Sequence, residues 1–376
     1  MKIVCLFVIL YTNILFPQNN KFDELVQTGI KQIYNLQFTE AGKTFAQVRN
    51  EYPDDPAGKF FEAMILWWRI MLDFDEERLD NLFIKKLNEV IDDCDGILDK
   101  DPNNVNAIFF KGGSLGFRGR LATVRENWID AAYDGKDALP LVYNAYELDP
   151  KNVDVQFGLG IYNYYAAVIP EKYEFVKPLM LMFPSGDKSK GLKQLKNAAS
   201  SGKFTKTEAK YFLMTLYYGF EEDFESALKY SKQLKNEFPN NPTFEKYYGR
   251  ILIKQQKFSD AKTTFSNITS KCEENFIGYN NRIKREAFFY IGVSNFNLSK
   301  YDDAKSGFRD CLQLSREIEG SNVSGYQINS LLYLGMIYDK SGLRDAAIQK
   351  YNEVLGYKNY GRSHSLAESY LKNSYK

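Results

Sequence analysis

Histidine is all but missing from this chain: among 376 residues there is one, His364. A Ser-His-Asp or Cys-His arrangement would have to be assembled on a single residue near the end of the sequence, which argues against hydrolytic or acyl-transfer chemistry and for a protein that is not an enzyme. Cysteine is nearly as scarce. Cys5 lies in an apolar N-terminal run, and Cys94, Cys272 and Cys311 are an odd number at unrelated spacings, so they imply no disulfide framework and read as small buried residues, with room for one oxidised pair outside the cytoplasm. Charge of one sign is missing too. Lys+Arg 49 against Asp+Glu 48 leaves no surplus to gather phosphates, which removes the electrostatic support for a nucleic-acid role. There is no Gly/Ser-rich or Pro-rich linker and no sustained strand alternation, so the chain is expected to be all-α. No metal or cofactor motif survives inspection. In DDCDGILDKDPNN (92–104), placing Gly96 at the turn of a calcium loop would require a ligand at Ile91 and a bidentate glutamate at Pro102. The glycines of FKGGSLGFRGR (110–120) lack the Lys-Ser/Thr ending of a phosphate loop and follow no strand.

What the sequence does have is a repeat. Five times a small residue is followed twelve positions later by alanine: Gly29/Ala41, Thr215/Ala227, Gly249/Ala261, Gly292/Ala304 and Gly335/Ala347. In four of these a large aromatic falls four positions further on, at Phe45, Phe265, Phe308 and Tyr351, and Phe38, Phe224, Phe258 and Tyr301 stand three before an alanine, where they can plug a turn. Pro53 after Glu-Tyr and Pro239 after Glu-Phe mark the end of a second helix, because proline offers no N–H to continue it. A lone helical hairpin cannot cover this apolar surface, whereas a stack of hairpins shares it between neighbours. The pattern resembles the tetratricopeptide repeat (TPR). It implies a TPR-type α-solenoid of about seven to eight hairpins, divergent over 19–205 and regular over 206–376. Thr215 to Gly249 is 34 positions, but Gly249 to Gly292 and Gly292 to Gly335 are 43 each, so the later hairpins or their connections are longer.

Other stretches carry a second resemblance. WWRIMLD (67–73), FKGGSLGFRGR, DAAYDGKDALPLVYNAYELDP (130–150), GLGIYNYYAAVIPEKYEFVKPLMLMFPSGD (158–187) and KGLKQLKNAAS (190–200) together resemble a family of bacterial TPR proteins with no assigned activity. More distantly they are similar to the eukaryotic TPR family that includes the inclusion-body clearance proteins. The resemblance spans roughly residues 20–240, and implies an all-helical scaffold with an insertion and no catalytic residue to carry over. The insertion, near 169–187, should follow a helix ending near Ala167 and precede one beginning near Lys188. Its run from Phe175 to Phe183 is apolar enough to be either a lid tucked over the solenoid's own groove or a surface for a partner or a membrane. On a helix, Gly113, Gly116 and Gly119 should allow another helix to approach closely, with Arg118 and Arg120 displayed beside the seam as secondary binding candidates.

Taken outward, the repeat pattern places Phe157, Ile161, Tyr164 and Tyr165, then Phe212, Leu216 and Phe220, then Lys246, Arg250 and Lys254, then Phe289 and Phe296 on the concave side. The basic trio, four and four apart, forms one ridge that suits an acidic segment or a terminal carboxylate, with aromatics supplying area. At the other end of the chain, Lys2 followed by IVCLFVILYTNILF (3–16) is short for a membrane span of about 20 residues and suits the apolar region of a secretory signal. Residues 1–18 are therefore expected to be a signal peptide or an N-terminal anchor. The resulting expectation is an exported, non-enzymatic scaffold in the periplasm or at the outer membrane, binding a protein or peptide without metal or cofactor. The alternative is a glycan- or membrane-associated binder that uses exposed aromatics and the apolar insertion.

Overall fold

A computed structural model describes residues 18–174, 177–181, 183–320 and 323–376. The expected signal or anchor segment lies outside these residues except for Gln18, as do Phe175, Val176 and Met182 of the insertion. The described residues contain helices and no strand. They form eight sequential antiparallel hairpins: α1 (Gln18–Tyr34) with α2 (Phe38–Glu51), α3 (Ala57–Leu72) with α4 (Asp80–Leu98), α5 (Val105–Val124) with α6 (Trp128–Leu148), and α7 (Val153–Lys172) with α9 (Lys188–Ser201), α8 (Lys177–Met180) being a single turn inside the insertion. The series continues as α10 (Lys206–Gly219) with α11 (Phe224–Glu237), α12 (Pro242–Lys254) with α13 (Phe258–Glu273), α14 (Asn281–Asn297) with α15 (Tyr301–Ile318), and α16 (Gly325–Lys340) with α17 (Arg344–Leu355), before α18 (Ser363–Lys372) covers the last pair. This is the expected TPR-type α-solenoid. Phe38, Phe224, Phe258 and Tyr301 each open a second helix, and α2 and α11 stop two residues before Pro53 and Pro239.

The repeat spacing has a more specific basis than small residues meeting each other. A Cβ built on Gly29, Gly249, Gly292 or Gly335 would sit 2.4, 2.7, 2.7 or 2.4 Å from the ring of Phe45, Phe265, Phe308 or Tyr351 respectively. Each of those rings lies sixteen positions after its glycine and is fully buried. The glycine is thus the socket and the aromatic its filling. Where the first position is Thr215 instead, the residue sixteen later is the small, buried Ser231, so the pair conserves volume within the repeat. The turns share a second device. Leu36, Glu126, Glu222, Gln256, Ser299 and Gly342 all adopt left-handed backbone, with φ of 61, 58, 52, 58, 58 and 73°, and each stands two residues before a second helix. Only the last is glycine, so five hairpins hold a strained turn with packing.

The stack bends back on itself, which the sequence reading did not anticipate. The buried Asn241 side chain, at the N-cap of α12, donates to the Tyr34 carbonyl at the end of α1 (2.9 Å), and Arg282 pairs with Asp73 (3.5 Å) and with Asp75. Trp68 packs edge-on against Phe244 at 5.5 Å, and Tyr34 lies 5.3 Å from Phe238. The first two hairpins are therefore clasped to α12 and to the start of α14. A continuous apolar core runs from Val26 to Ile251, across the expected change of repeat type at 205–206.

Two local expectations are corrected. The helix before the insertion does not end near Ala167 but continues through Pro170 to Lys172, while α9 starts at Lys188 as anticipated. In FKGGSLGFRGR, the close approach to α6 is made by Gly112 and Gly119, where added methyls would lie 3.5 Å from Leu141 and 3.1 Å from Asp134; Gly113 faces Phe60 and Gly116 faces open space. A step of three advances about 300° round a helix and winds off the seam, whereas a step of seven returns to it. The end of the insertion packs against α6 and α7: Tyr162 donates to the Pro184 carbonyl and Phe183 lies beside Gly135. Leu181 points into solvent, 88% exposed.

Candidate functional site

The first helices of the hairpins line the inner face, and two ion-pair clusters mark it. In the first, Arg120 on α5 pairs with Glu208 on α10 at 2.7 Å, and Glu208 also accepts from the Tyr34 hydroxyl at 3.0 Å. The Arg120 guanidinium lies 4.7 Å from the ring centres of both Trp67 and Phe212, a sandwich that suits its weakly hydrated planar cation. Burial alone would lower its pKa, but Glu208 and then Tyr211 outweigh that and raise it. Arg118, two residues away, faces the other side of α5 and is held by Asp134 through two nitrogens, with Asn88 accepting a further bond at 2.7 Å. The two arginines therefore do not share a seam.

In the second cluster Arg250 on α12 meets both oxygens of the buried Glu286 on α14, at 2.5 and 2.6 Å, and donates to the Tyr326 hydroxyl on α16 at 2.9 Å. Burial tends to raise the Glu286 carboxyl, but Arg250 and Lys246 prevail and hold it below the ordinary glutamate value. Lys246 is different. Its ammonium lies 4.0 Å from Glu286, makes no hydrogen bond within the described residues, and remains 23% exposed at the side chain. Burial lowers its pKa against the pull of Glu286, with Arg250 adding to the lowering. The pit holds two cations against one anion, so it carries an excess positive charge at its mouth. Lys254, the third member of the ridge, is exposed at the end of the same helix, 5.8 Å from the ring of Phe224.

Between the clusters runs a band of tyrosines. Tyr247 lies 6.2 Å from Tyr211 and 5.8 Å from Tyr218, and Tyr290 lies 6.4 Å from Tyr326; burial, the leading cause in each case, raises Tyr165 to about 12, Tyr211 well above its ordinary value and Tyr218 above its own. A phenol in such a place sets a hydroxyl beside apolar rings. Of the aromatic positions named from the sequence, Tyr164, Tyr165, Phe212 and Phe220 come together: Tyr165 lies 5.6 Å from both Tyr164 and Phe220, and 6.5 Å from Phe212. Tyr164 is fully buried with its hydroxyl on Glu221 at 2.5 Å. Phe289 joins the second cluster, 5.4 Å from Tyr326, whereas Phe296 is set apart with Tyr333 and Tyr375, at 5.1 and 6.0 Å. The tyrosines Tyr211, Tyr218, Tyr247, Tyr290 and Tyr326 were missed. A signal existed for two of them, since Tyr247, Tyr290 and Tyr333 each stand two before a repeat glycine.

A depression of about 210 Å³ lies between Val105, Phe109 and Phe204, with Asp154 in its wall; that carboxylate is already taken by the amides of Lys203, Phe204 and Thr205 and by the Thr205 hydroxyl. Among the described residues no group of His, Cys, Asp and Glu is placed to hold a metal ion, and His364 meets the Tyr357 carbonyl at 2.9 Å.

Solved structures similar to the chain include the C-terminal part of a TPR repeat-containing protein from Cytophaga hutchinsonii (16% identity, 81% of this chain and 99% of that one, TM-score 0.37). Others are yeast Tom70 (11% identity, 94% and 92%, TM-score 0.37) and a human IFIT1 dimer with m7Gppp-AAAA (13% identity, 94% and 85%, TM-score 0.42). No curated protein matches the chain. The family match falls on residues 152–342, further along the chain than the 20–240 over which the sequence resemblance was drawn. The chain belongs to the Iml2/Tetratricopeptide repeat protein 39 family.

Proposed function

We propose that this protein is an exported, non-enzymatic TPR scaffold of the cell envelope that binds an extended, acidic protein segment along its inner face. The observation that supports this most directly is Lys246, whose side chain is 23% exposed and whose ammonium has only the 4.0 Å contact with Glu286 and no hydrogen bond among the described residues. A carboxylate entering there would meet the excess positive charge of the pit, while Tyr218 and Tyr247 offer rings and hydroxyls to the rest of the segment. Arg250 supports the pit from below: its guanidinium is committed to Glu286 and Tyr326, so it fixes the field rather than receiving the ligand. Export rests on the composition of residues 2–16. The alternative, a glycan- or membrane-associated binder, has less behind it. Trp67 and Trp68 are buried and unavailable to stack on sugars, although Leu181 would suit a lipid surface.

The test compares wild type with Lys246→Met, which removes the ammonium at similar volume and adds no carboxylate to compete for Arg250. Crosslinking in the native host, followed by mass spectrometry, is expected to lose its principal partner in the variant, and arrayed acidic peptides should bind wild type at least about tenfold more tightly, as removal of one desolvated charge contact predicts. Identical partners and affinities would remove the pit from consideration, and retention on liposomes or glycans in both proteins would favour the alternative.

A further inference from the structure

Away from the inner face, residues 373–376 pack against the side of α16 and α14. After α18 the backbone becomes extended at Asn373, and the Tyr375 amide donates to the Asp339 carboxylate at 2.8 Å. The Tyr375 ring lies 5.2 Å from Tyr370 and 6.0 Å from Phe296, with the Lys340 ammonium 5.6 Å from its centre. Tyr333 and Tyr301 complete the surround, their rings 5.1 and 5.7 Å from that of Phe296.

The receptor side of this contact has partners of its own besides the segment. The Asp339 side chain is fully buried on α16, and Arg344 donates to both its oxygens at 2.9 and 3.0 Å while the Tyr351 hydroxyl donates at 2.9 Å. Arg344 in turn caps the last turn of α18 through the carbonyls of Tyr370 and Leu371. The carboxylate is thus held in place by helices, with one acceptor direction aimed at whatever backbone lies alongside. The occupant is attached more lightly. Asn373, Ser374 and Lys376 are exposed, and beyond the helix end the segment is held by the Tyr375 amide and its half-buried ring.

We propose that this notch is an exchangeable docking site for an extended partner segment carrying a tyrosine, and that residues 373–376 are a resident competitor for it. The specificity follows from the present occupant: an aromatic side chain between Phe296, Tyr333 and Tyr370, a cation over its face, and a backbone N–H presented to Asp339. The competent fraction of the site is reduced by self-occupancy, so a partner's apparent affinity is lowered by the same factor.

The experiment uses the full chain and an N-terminally labelled Asn-Ser-Tyr-Lys peptide, with Asn-Ser-Ser-Lys as its control, read by fluorescence anisotropy. Tyr375→Ala is expected to bind the tyrosine peptide at least about tenfold more tightly than wild type does, and neither protein should bind the control. Equal affinity in the two proteins, no binding to Tyr375→Ala, or indifference to the serine exchange would overturn the proposal. Amide hydrogen exchange on wild type gives a reading independent of any variant's folding. The Tyr375 amide should exchange far faster than those of α16 and α17, whereas exchange only with global unfolding would make the segment a fixed part of the fold.

Discussion

Substituting Gly249 with alanine sets two known effects against each other, and the structure decides the sign. Helix propensity favours alanine over glycine by about 1 kcal/mol in a helix interior. Against it, the new methyl would lie 2.7 Å from two carbons of the Phe265 ring, which is fully buried, and overpacking of this kind costs about 1–3 kcal/mol. Gly249→Ala should therefore be neutral to destabilising, by up to about 2 kcal/mol. Phe265→Ala alone removes a buried ring and should cost about 3–5 kcal/mol. In that background the socket is empty, so the Gly249 substitution meets no ring and should now stabilise by about 1 kcal/mol. Urea unfolding of the four proteins, followed by circular dichroism, measures the coupling, predicted at about 1–3 kcal/mol. The reasoning fails if Gly249→Ala stabilises both backgrounds equally, because the glycine would then be incidental to the ring.

The remaining expectations concern the ion pair and the turns. Glu286 is held below its ordinary value of 4.5, so its contribution to stability is complete above that pH and is lost as the pH falls through the depressed folded value. Glu286→Gln should cost about 2 kcal/mol at pH 7, below the range for breaking a fully buried pair because Arg250 keeps a fifth of its side chain in water, and should flatten the acid limb of stability against pH. An unchanged acid limb would assign that slope to other carboxylates. At the α12–α13 turn Gln256 has φ of 58°, so Gln256→Gly should be neutral or stabilising by up to about 1 kcal/mol and Gln256→Val destabilising by about 1–2 kcal/mol, as read by thermal unfolding. A valine as stable as the glycine would show that the turn relaxes at no cost.

The inner face illustrates how far residue types carry an argument. Lys246 and Arg250 stand four apart and read as equivalent members of one basic ridge, yet the fold gives them different tasks. Glu286, 36 positions beyond Arg250, takes up the guanidinium and leaves the lysine open. No local pattern announces that pairing, because it depends on which turn of α14 lies beside α12. Arg118 and Arg120 separate for a simpler reason. Two residues along a helix is a rotation of about 200°, so neighbours in sequence face opposite partners, Asp134 on α6 and Glu208 on α10.

By itself the sequence determined that this chain is a stack of helical hairpins, and where most of them turn. Sockets, ring fillings and turn plugs are local relations, each satisfied within about one hairpin, and a spacing of twelve or sixteen residues records them directly. Only the tertiary structure decided how the stack curves. The clasp of Asn241 on Tyr34 and of Arg282 on Asp73 and Asp75 joins segments about 200 positions apart, and the small rotation between successive hairpins that brings them together accumulates from packing at every interface. The same curvature stacks Arg120 between Trp67 and Phe212 and aligns the tyrosines between the two ion pairs, so the candidate site was legible as a list of aromatic and basic residues but not as an arrangement.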